Sequence, residues 1–187
     1  VGGATGDGEG KAIKAQFFSA SGTKIGTEIL VNTECRSSQT GQKTVVLADG
    51  TLVVTWEDWS SSCHYDPDGT LNSCGGGPQI KAHLFHSPRG IIGTELTLTC
   101  AYNYSPQITA LADGGFVVAW LDNHYSVEDV YVQVFNAAGV AVDSQILVNT
   151  AGTGATFSTQ FEQQVVGLNN GGFVVTWTDK NGDDSSY

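Results

Sequence analysis

The sequence predicts an all-β protein made of three tandem copies of one four-stranded antiparallel unit. Three observations lead to this fold class: glycine is abundant at 24 of 187 residues, charged residues make up only 14%, and one block of sequence occurs three times. Abundant glycine and few charges suit short strands joined by tight turns, and no segment has sustained helical periodicity. With 40% hydrophobic residues, the chain can also bury a substantial core.

The repeated block occupies residues 47–56, 111–120 and 168–177, and each copy runs from a leucine to a tryptophan. The tryptophans are 64 and 57 residues apart, so the repeating unit has about sixty residues and loops of variable length. Near the start of each copy, Asp-Gly or Asn-Gly provides the positive-φ turn that joins two antiparallel strands. The block therefore predicts one β-hairpin in every unit.

Two further strands are predicted in each unit. The first ends in a phenylalanine, at Phe18, Phe85 and Phe135, and a turn that contains glycine follows it. The second begins ten residues after the phenylalanine, and its apolar residues alternate or run together as they do in strands. Each unit thus has four strands, which end in Phe, near Asn-Thr, in Leu and in Trp.

Four antiparallel strands in tandem units favour the blades of a β-propeller over a sandwich, because sandwich strands seldom share a repeating sequence. We expect residues 1–77 to form the first repeat with a disulfide-tied insertion, 78–129 the second and 130–187 the third. Closed propellers usually have roughly four to eight blades, so three blades would leave two faces open. We expect further repeats of the same array or copies of this chain to cover them, in a six-bladed ring or an open filament.

The formal charge is −11, and no cluster of Lys and Arg offsets it, so binding to nucleic acid or to an anionic lipid surface is not expected. No apolar run approaches the roughly 20 residues that a membrane span needs, and the first residues have no signal-peptide pattern. The sequence contains no methionine, which is expected of a processed chain or of a piece of a longer one. Either case fits a secreted protein.

The four cysteines have no C-x-x-C spacing, so disulfides are expected rather than a zinc or redox site. Cys63 and Cys74 flank a polar, glycine-rich insertion, and a bridge between them would tie down that loop. Cys35 and Cys100, which follow equivalent strands of adjacent repeats, would then form the second pair. Four cysteines allow three connectivities, and the sequence does not choose among them.

The succession of Gln-x-Phe, Glu-Ile-Leu-Val-Asn-Thr and Leu-x-Asp-Gly-Gly-Phe-Val-Val-x-Trp resembles the tandem repeats of large secreted bacterial proteins that carry haemolysin-type calcium-binding segments. The resemblance covers nearly the whole chain. It implies an extracellular, adhesin-like or surface-layer role that calcium assists, and it does not by itself imply any particular activity. The cysteines and the insertion between Cys63 and Cys74 depart from the pattern.

Acidic residues collect in the loops after the tryptophan strands, where carboxylate and amide oxygens could bind Ca²⁺. The third copy has Asp and Asn at alternate positions, as at the start of an EF-hand loop, although the glycine and distal glutamate of that motif are missing. Solvated turns explain the same composition equally well. The candidate ligands are Asp7, Glu9, Asp66, Asp68, Asn72, Asp179, Asn181 and Asp183.

An enzyme is not expected, because the four histidines do not recur at equivalent repeat positions and only His83 and His86 are close in sequence. His83 is expected on the polar face of a strand. A lectin of propeller type is the main alternative to a structural or adhesive module, because loop aromatics can stack on sugar rings or form protein contacts. The aromatic residues in predicted loops are Trp59, Tyr65, Tyr102, Tyr104 and Tyr125.

Overall fold

The computed structural model describes residues 10–33, 37–65, 71–74, 76–86, 90–99, 102–123, 128–149 and 159–180. These residues form antiparallel sheets, which confirms the all-β prediction; a 3-10 helix covers Trp59–Ser62. No helix in the described part of the chain has the length and hydropathy that a membrane span requires. In chain order the strands are β1 (Lys14–Phe18), β2 (Lys24–Leu30), β3 (Gln39–Val46), β4 (Thr51–Asp58), β5 (Cys63–Tyr65), β6 (Leu71–Cys74), β7 (Gln79–His86), β8 (Gly90–Thr97), β9 (Asn103–Ala110), β10 (Phe116–Asp122), β11 (Asp129–Phe135), β12 (Ile146–Leu147), β13 (Thr159–Gly167) and β14 (Phe173–Lys180).

Two four-stranded sheets have the same topology, with strand orders β3-β4-β7-β8 and β9-β10-β11-β12. The strand that ends in Leu comes first, followed by the strands that end in Trp, in Phe and near Asn-Thr. In the first sheet Leu52 of β4 lies opposite Phe85 of β7, and in the second Phe116 of β10 lies opposite Phe135 of β11. We call these two sheets the complete sheets.

Two further sheets have two strands each and contain the same four strand types between them. The strands β13 and β14 correspond to the first half of a complete sheet, and β1 and β2 correspond to the second half. We call these the half-sheets. A third two-stranded sheet, β5-β6, is formed by the insertion of the first repeat.

The hairpin turns formed by the three copies of the repeated block are the same in detail. In the first copy, the Leu47 amide donates to the carbonyl of Thr51 and the Gly50 amide to that of Leu47. The second glycine turn shows why glycine is needed, because Gly114 has a φ of +92°, in the left-handed region. Because hairpin turns of this kind fix the strand register, the recurring turn sequence builds the same hairpin three times.

The four main sheets stack face to face in the order β1-β2, first complete sheet, second complete sheet, β13-β14. One hydrophobic cluster joins each neighbouring pair. Ile13 and Val31 pack against Trp56; Leu47 and Val53 pack into the cluster that contains Trp120; and Leu111 and Val117 pack into the cluster that contains Val165. Each cluster removes apolar side chains from water, which is the main stabilising contribution to such a stack.

Equivalent backbone hydrogen bonds join the same sheets at equivalent positions. The Gln39 amide donates to the carbonyl of Lys11 at 2.7 Å, and the Asn103 amide to that of Pro78 at 2.9 Å. The Gln160 amide donates to the carbonyl of Glu128 at 3.1 Å. Since the same contact recurs between all three neighbouring pairs, the described sheets repeat with one geometry.

The sheets are out of phase with the predicted repeats. With boundaries after residues 77 and 129, each complete sheet takes its first two strands from one repeat and its last two from the next. The tandem repeats are therefore joined by shared sheets. The described residues form sheets of two and four strands, and none of these sheets is closed.

Candidate functional site

The first complete sheet contains a buried ion cluster. Lys81 of β7 lies between Asp58 of β4, with which it makes a short contact, and Glu95 of β8, at 2.8 Å. The side chains of Asp58, Lys81 and Glu95 are 0%, 13% and 10% exposed. The Asp58 carboxylate also accepts a hydrogen bond from the Ser60 amide at 2.8 Å. Strands that are neighbours in the sheet thus bring together charges that are far apart in sequence.

The cluster shifts the proton equilibria of its members. Burial opposes the ionisation of Asp58, but the hydrogen bonds from Lys81 and Ser60 outweigh it and lower the pKa of the Asp58 carboxyl. Burial also opposes the charge of Lys81, but its hydrogen bonds to Asp58 and Glu95 outweigh this and raise the pKa of the ammonium group. Both groups are therefore held in their charged forms, in which they stabilise the sheet.

The half-sheets hold the equivalent residues in two separate parts. Lys14 and Glu28, which correspond to Lys81 and Glu95, are 3.7 Å apart and are 36% and 48% exposed. Asp179, which corresponds to Asp58, lies on β14 and accepts a hydrogen bond from the Gln160 side chain at 3.1 Å. In the second complete sheet Tyr131 occupies the position equivalent to Lys81, so this position carries no positive charge.

Equivalent apolar side chains are also buried in the complete sheets and exposed in the half-sheets. Trp56 and Trp120 are 0% and 1% exposed, whereas Trp177 is 37% exposed. Phe85 is fully buried, whereas its counterpart Phe18 is 56% exposed. The side chains of Leu168 and Val174, whose counterparts in both complete sheets are buried, are also exposed. The half-sheets thus present to solvent several residues whose counterparts are core residues in the complete sheets.

Two of the predicted calcium ligands lie in described strands. Asn72 lies within β6, and Asp179 is a strand residue bound to Gln160. Among the described residues, no group of three or more His, Cys, Asp and Glu side chains is placed to hold a metal ion. Outside the described residues lie Asp7, Glu9, Asp66, Asp68, Asn181 and Asp183.

Two of the candidate glycan-binding aromatics are surface residues. Trp59 and Tyr102 are each a little over one third exposed, and the Trp59 indole donates to Thr40 and Glu57, both at 3.3 Å. Tyr65 lies in β5, and Tyr125 lies outside the described residues.

Tyr104 lies in strand β9 and Tyr65 in β5, so the prediction that these two aromatics lie in loops is wrong. The Tyr104 hydroxyl donates to Glu128, and burial together with this hydrogen bond raises the pKa of Tyr104, so the phenol stays protonated. A cleft of about 710 Å³ lies beside it and is also lined by Glu162 and Gln164. Polar groups and one aromatic ring converge at this cleft.

The first predicted cysteine pair lies on paired strands. Cys63 of β5 lies directly opposite Cys74 of β6. Opposite residues in antiparallel strands have Cα atoms about 4.5–5.5 Å apart, a separation that a disulfide can span. The Cys63–Cys74 bridge stays a prediction, and Cys35 and Cys100 lie outside the described residues.

The prediction for His83 is wrong. Its side chain is buried, and its Nδ1 lies 2.7 Å from the carbonyl oxygen of Val31, which joins β7 to the segment after β2. Alternation along β7 predicts a solvent-facing position for His83, but the neighbouring half-sheet β1-β2 packs on that face and buries the side chain.

The ion cluster was missed by the sequence analysis, although the sequence contains a pattern for it. An aspartate follows each repeated tryptophan by two residues, at Asp58, Asp122 and Asp179. Lys14 and Lys81 both precede a strand-ending phenylalanine by four residues. The pattern is informative only once the sheet topology places these positions side by side.

No protein-family model, curated protein or solved structure matches this chain. Within the chain, the complete sheets show how each position of the half-sheets is packed when neighbouring strands cover it.

Proposed function

We propose that this protein is a non-catalytic, extracellular structural or adhesive repeat module that assembles with copies of itself through its half-sheets. The observation that carries the proposal is the exposure of Trp177, Phe18 and Val174 at positions whose counterparts in both complete sheets are buried. Exposed apolar patches of this kind mark interaction surfaces. The assembled form is a filament, a surface layer or a completed propeller of blade-like sheets.

The repeated geometry of the stack supports assembly in one direction. Equivalent hydrogen bonds and hydrophobic clusters join each of the four main sheets to the next. A further sheet can therefore be added at either end with the same contacts. Heterologous contacts of this type give a closed ring if the rotation closes and a filament if it does not.

Calcium is proposed as a stabilising ion of the loops. The support is the net charge of −11 and the acidic loops of the repeat. A bound divalent cation would reduce the repulsion between copies that approach one another with their acidic loops. Calcium binding is consistent with the proposed secretion and disulfides, because calcium sites of extracellular modules are weak and bind the ion at high calcium concentrations.

Glycan binding is a second candidate because of the cleft beside Tyr104. Its ring, Glu128 and Gln164 offer the aromatic and polar groups that sugars bind. If this proposal holds, Tyr104→Ala abolishes saturable binding on a glycan array, whereas Tyr102→Ala, at an exposed ring outside the cleft, retains it. Binding that is equal in both variants, or absent from the parent chain, contradicts it.

Native mass in solution tests the self-assembly proposal. We expect multi-angle light scattering to give a dimer or a larger species for the 187-residue chain, and a lower mass after a calcium chelator is added. A multimer that resists the chelator retains self-assembly and contradicts the role of calcium. A monomer under both conditions contradicts self-assembly.

A further inference from the structure

We infer that a second copy of this chain completes the half-sheet β13-β14 by adding its own β1 and β2 to the open edge of β14. This inference rests on the proposed self-assembly and names the surface through which it occurs. The joined sheet has the order β13-β14-β1-β2, which is the order of both complete sheets. Each junction between two copies thereby contains one additional four-stranded sheet.

The open edges of β14 and β1 are selected by comparison with the complete sheets. The counterparts of β14, which are β4 and β10, each pair with two neighbours. The counterparts of β1, which are β7 and β11, also pair with two neighbours. Among the described strands, β14 pairs with β13 alone and β1 pairs with β2 alone. Within the described residues, the strand β14 thus lacks a neighbour of the type that ends in Phe, which is the type of β1. The strand β1 likewise lacks a described neighbour of the type that ends in Trp, which is the type of β14.

The register of the junction follows from the two complete sheets. Leu52 lies opposite Phe85, and Phe116 lies opposite Phe135. Applied to the half-sheets, the same register places Phe173 of one copy opposite Phe18 of the second. Phe116 and Phe135 are stacked, with ring centroids 5.1 Å apart and planes at 16°, and the second copy's phenylalanine would be stacked in the same way.

The same register rebuilds the ion cluster across the junction. It brings Lys14 and Glu28 of the second copy to Asp179 of the first, in the arrangement of Lys81, Glu95 and Asp58. All three charges of the cluster are present in the half-sheets, two on one side of the junction and one on the other. This charge complementarity favours a second copy over an unrelated strand.

A groove beside β1 provides the space that the added half-sheet fills. The groove has a volume of about 520 Å³ and lies between the edge of β1 and the face of β3-β4, with Phe17, Val46 and Leu52 in its lining. Within the chain, Leu47 and Val53 of the first complete sheet pack on the equivalent face of the second. Their counterparts Leu168 and Val174, exposed on β13-β14, would enter the groove of the second copy.

Cysteine cross-linking between two differently tagged copies tests the register. Thr55 lies opposite Ala82, so Thr176 of one copy is expected opposite Ala15 of the other. A Thr176→Cys copy is mixed with an Ala15→Cys copy under mild oxidation, and the linked peptides are identified by mass spectrometry. The parent chain, treated identically, gives the background from the native cysteines.

The matched control is Gln16→Cys, because neighbouring strand residues point to opposite faces. We expect the link from residue 176 to residue 15 to form at least about fivefold more than the link to residue 16, since a disulfide requires close, facing Cβ atoms. Equal yields, or no link between the copies, would overturn the inference.

Charge reversal tests the rebuilt cluster. Lys14→Asp and Asp179→Lys should each raise the dissociation constant between copies by about tenfold or more, as is typical of close interfacial charge pairs. The double variant should recover most of this loss, because Asp179→Lys places a cation beside Glu28 and the carboxylate that Lys14→Asp introduces in the second copy. Additive losses in the double variant would contradict the rebuilt cluster.

The apolar contact has its own matched pair of variants. Val174→Asp should abolish assembly, whereas Val142→Asp should not, although both valines are exposed in the single chain. Loss of assembly in both variants or in neither would contradict the groove contact.

The outcomes separate this inference from the proposed function. A multimer that lacks the link between 176 and 15 retains self-assembly and rejects this junction. A monomeric parent chain rejects both. If further repeats of a longer array supply the missing strands instead, the 187-residue chain alone is expected to be monomeric.

Discussion

The complete sheets and the half-sheets contain the same sequence pattern in different surroundings. Trp56 and Trp120 are buried, while Trp177, in a block that differs from theirs at few positions, is more than one third exposed. Likewise Lys81 is buried in a cluster of two acids, while Lys14 is an exposed partner of Glu28. The comparison shows that every repeat has the same core residues, and that neighbouring strands determine whether these residues are buried or exposed to solvent.

The largest expected effect concerns the tryptophans. Trp120→Ala should lower the free energy of unfolding by about 4 kcal/mol, because it leaves a cavity in a packed core. Trp177→Ala, measured at concentrations too low for assembly, should lower it by about 2 kcal/mol, because more than one third of the side chain is already exposed to water. Denaturant unfolding curves measure both, and equal losses would remove the distinction between the two kinds of sheet.

The ion cluster gives the next largest expected effect. Lys81→Ala should destabilise the chain by about 3 kcal/mol, because it leaves the buried Asp58 carboxylate without its cation. Lys14→Ala should cost less than about 1 kcal/mol under the same dilute conditions, since exposed ion pairs contribute little. The same unfolding experiment compares the two variants, and a large loss for Lys14→Ala would contradict the account.

Stability should also depend on pH through the buried cluster. The folded-state pKa of Asp58 is lowered, so its contribution is present above about pH 4 and is lost as the pH falls through the folded pKa. The pKa of Lys81 is raised above 10.5, so its contribution is present below that pH and is lost as the pH rises through the folded pKa. Thermal unfolding of Asp58→Asn across the pH range should lack the acid-side loss specific to Asp58; an unchanged profile would contradict this assignment.

The smallest expected effect concerns the bulges in β3 and β13, the strands that end in Leu. Gly41 has a φ of +65°, and its counterpart Glu162 has a φ of +56°. Glu162→Gly should therefore stabilise the chain by about 0.5 kcal/mol, because relief of backbone strain exceeds the entropy cost of glycine. Gly41→Ala should destabilise it by about 1 kcal/mol or more, since an added Cβ would lie 3.0 Å from the Glu57 side chain. Melting temperatures that move in the same direction for both variants would contradict this reading of the bulge.

The fold class and the hairpins could be predicted from sequence because their causes are local. The Asp-Gly and Asn-Gly turns and the strand lengths are properties of ten-residue segments, and the structure confirms an all-β chain with these hairpins. The phase of the sheets could not be predicted in this way. A tandem repeat has the same sequence pattern in every frame, so only the hydrogen bonds between β4 and β7 show that a sheet begins at the Leu strand.

The candidate site was harder to predict than the fold. Asp58 and Lys81 are separated by the insertion that contains β5 and β6, and only strand pairing brings them together. The predicted calcium loops fall largely outside the described residues, so calcium binding stays a prediction. Burial of His83 was missed because it depends on a neighbouring sheet, which alternation within one strand cannot indicate.

Hydrogen exchange of the backbone amides tests the central claim most directly, because strand pairing protects amides from exchange. We predict that the amides of β1 and β14 that point away from β2 and β13 exchange quickly in dilute protein and become protected as the concentration rises, while those of β4 and β7 are protected throughout. Exchange in β1 and β14 that is equally fast at every concentration would contradict the completion of the half-sheets by a second copy.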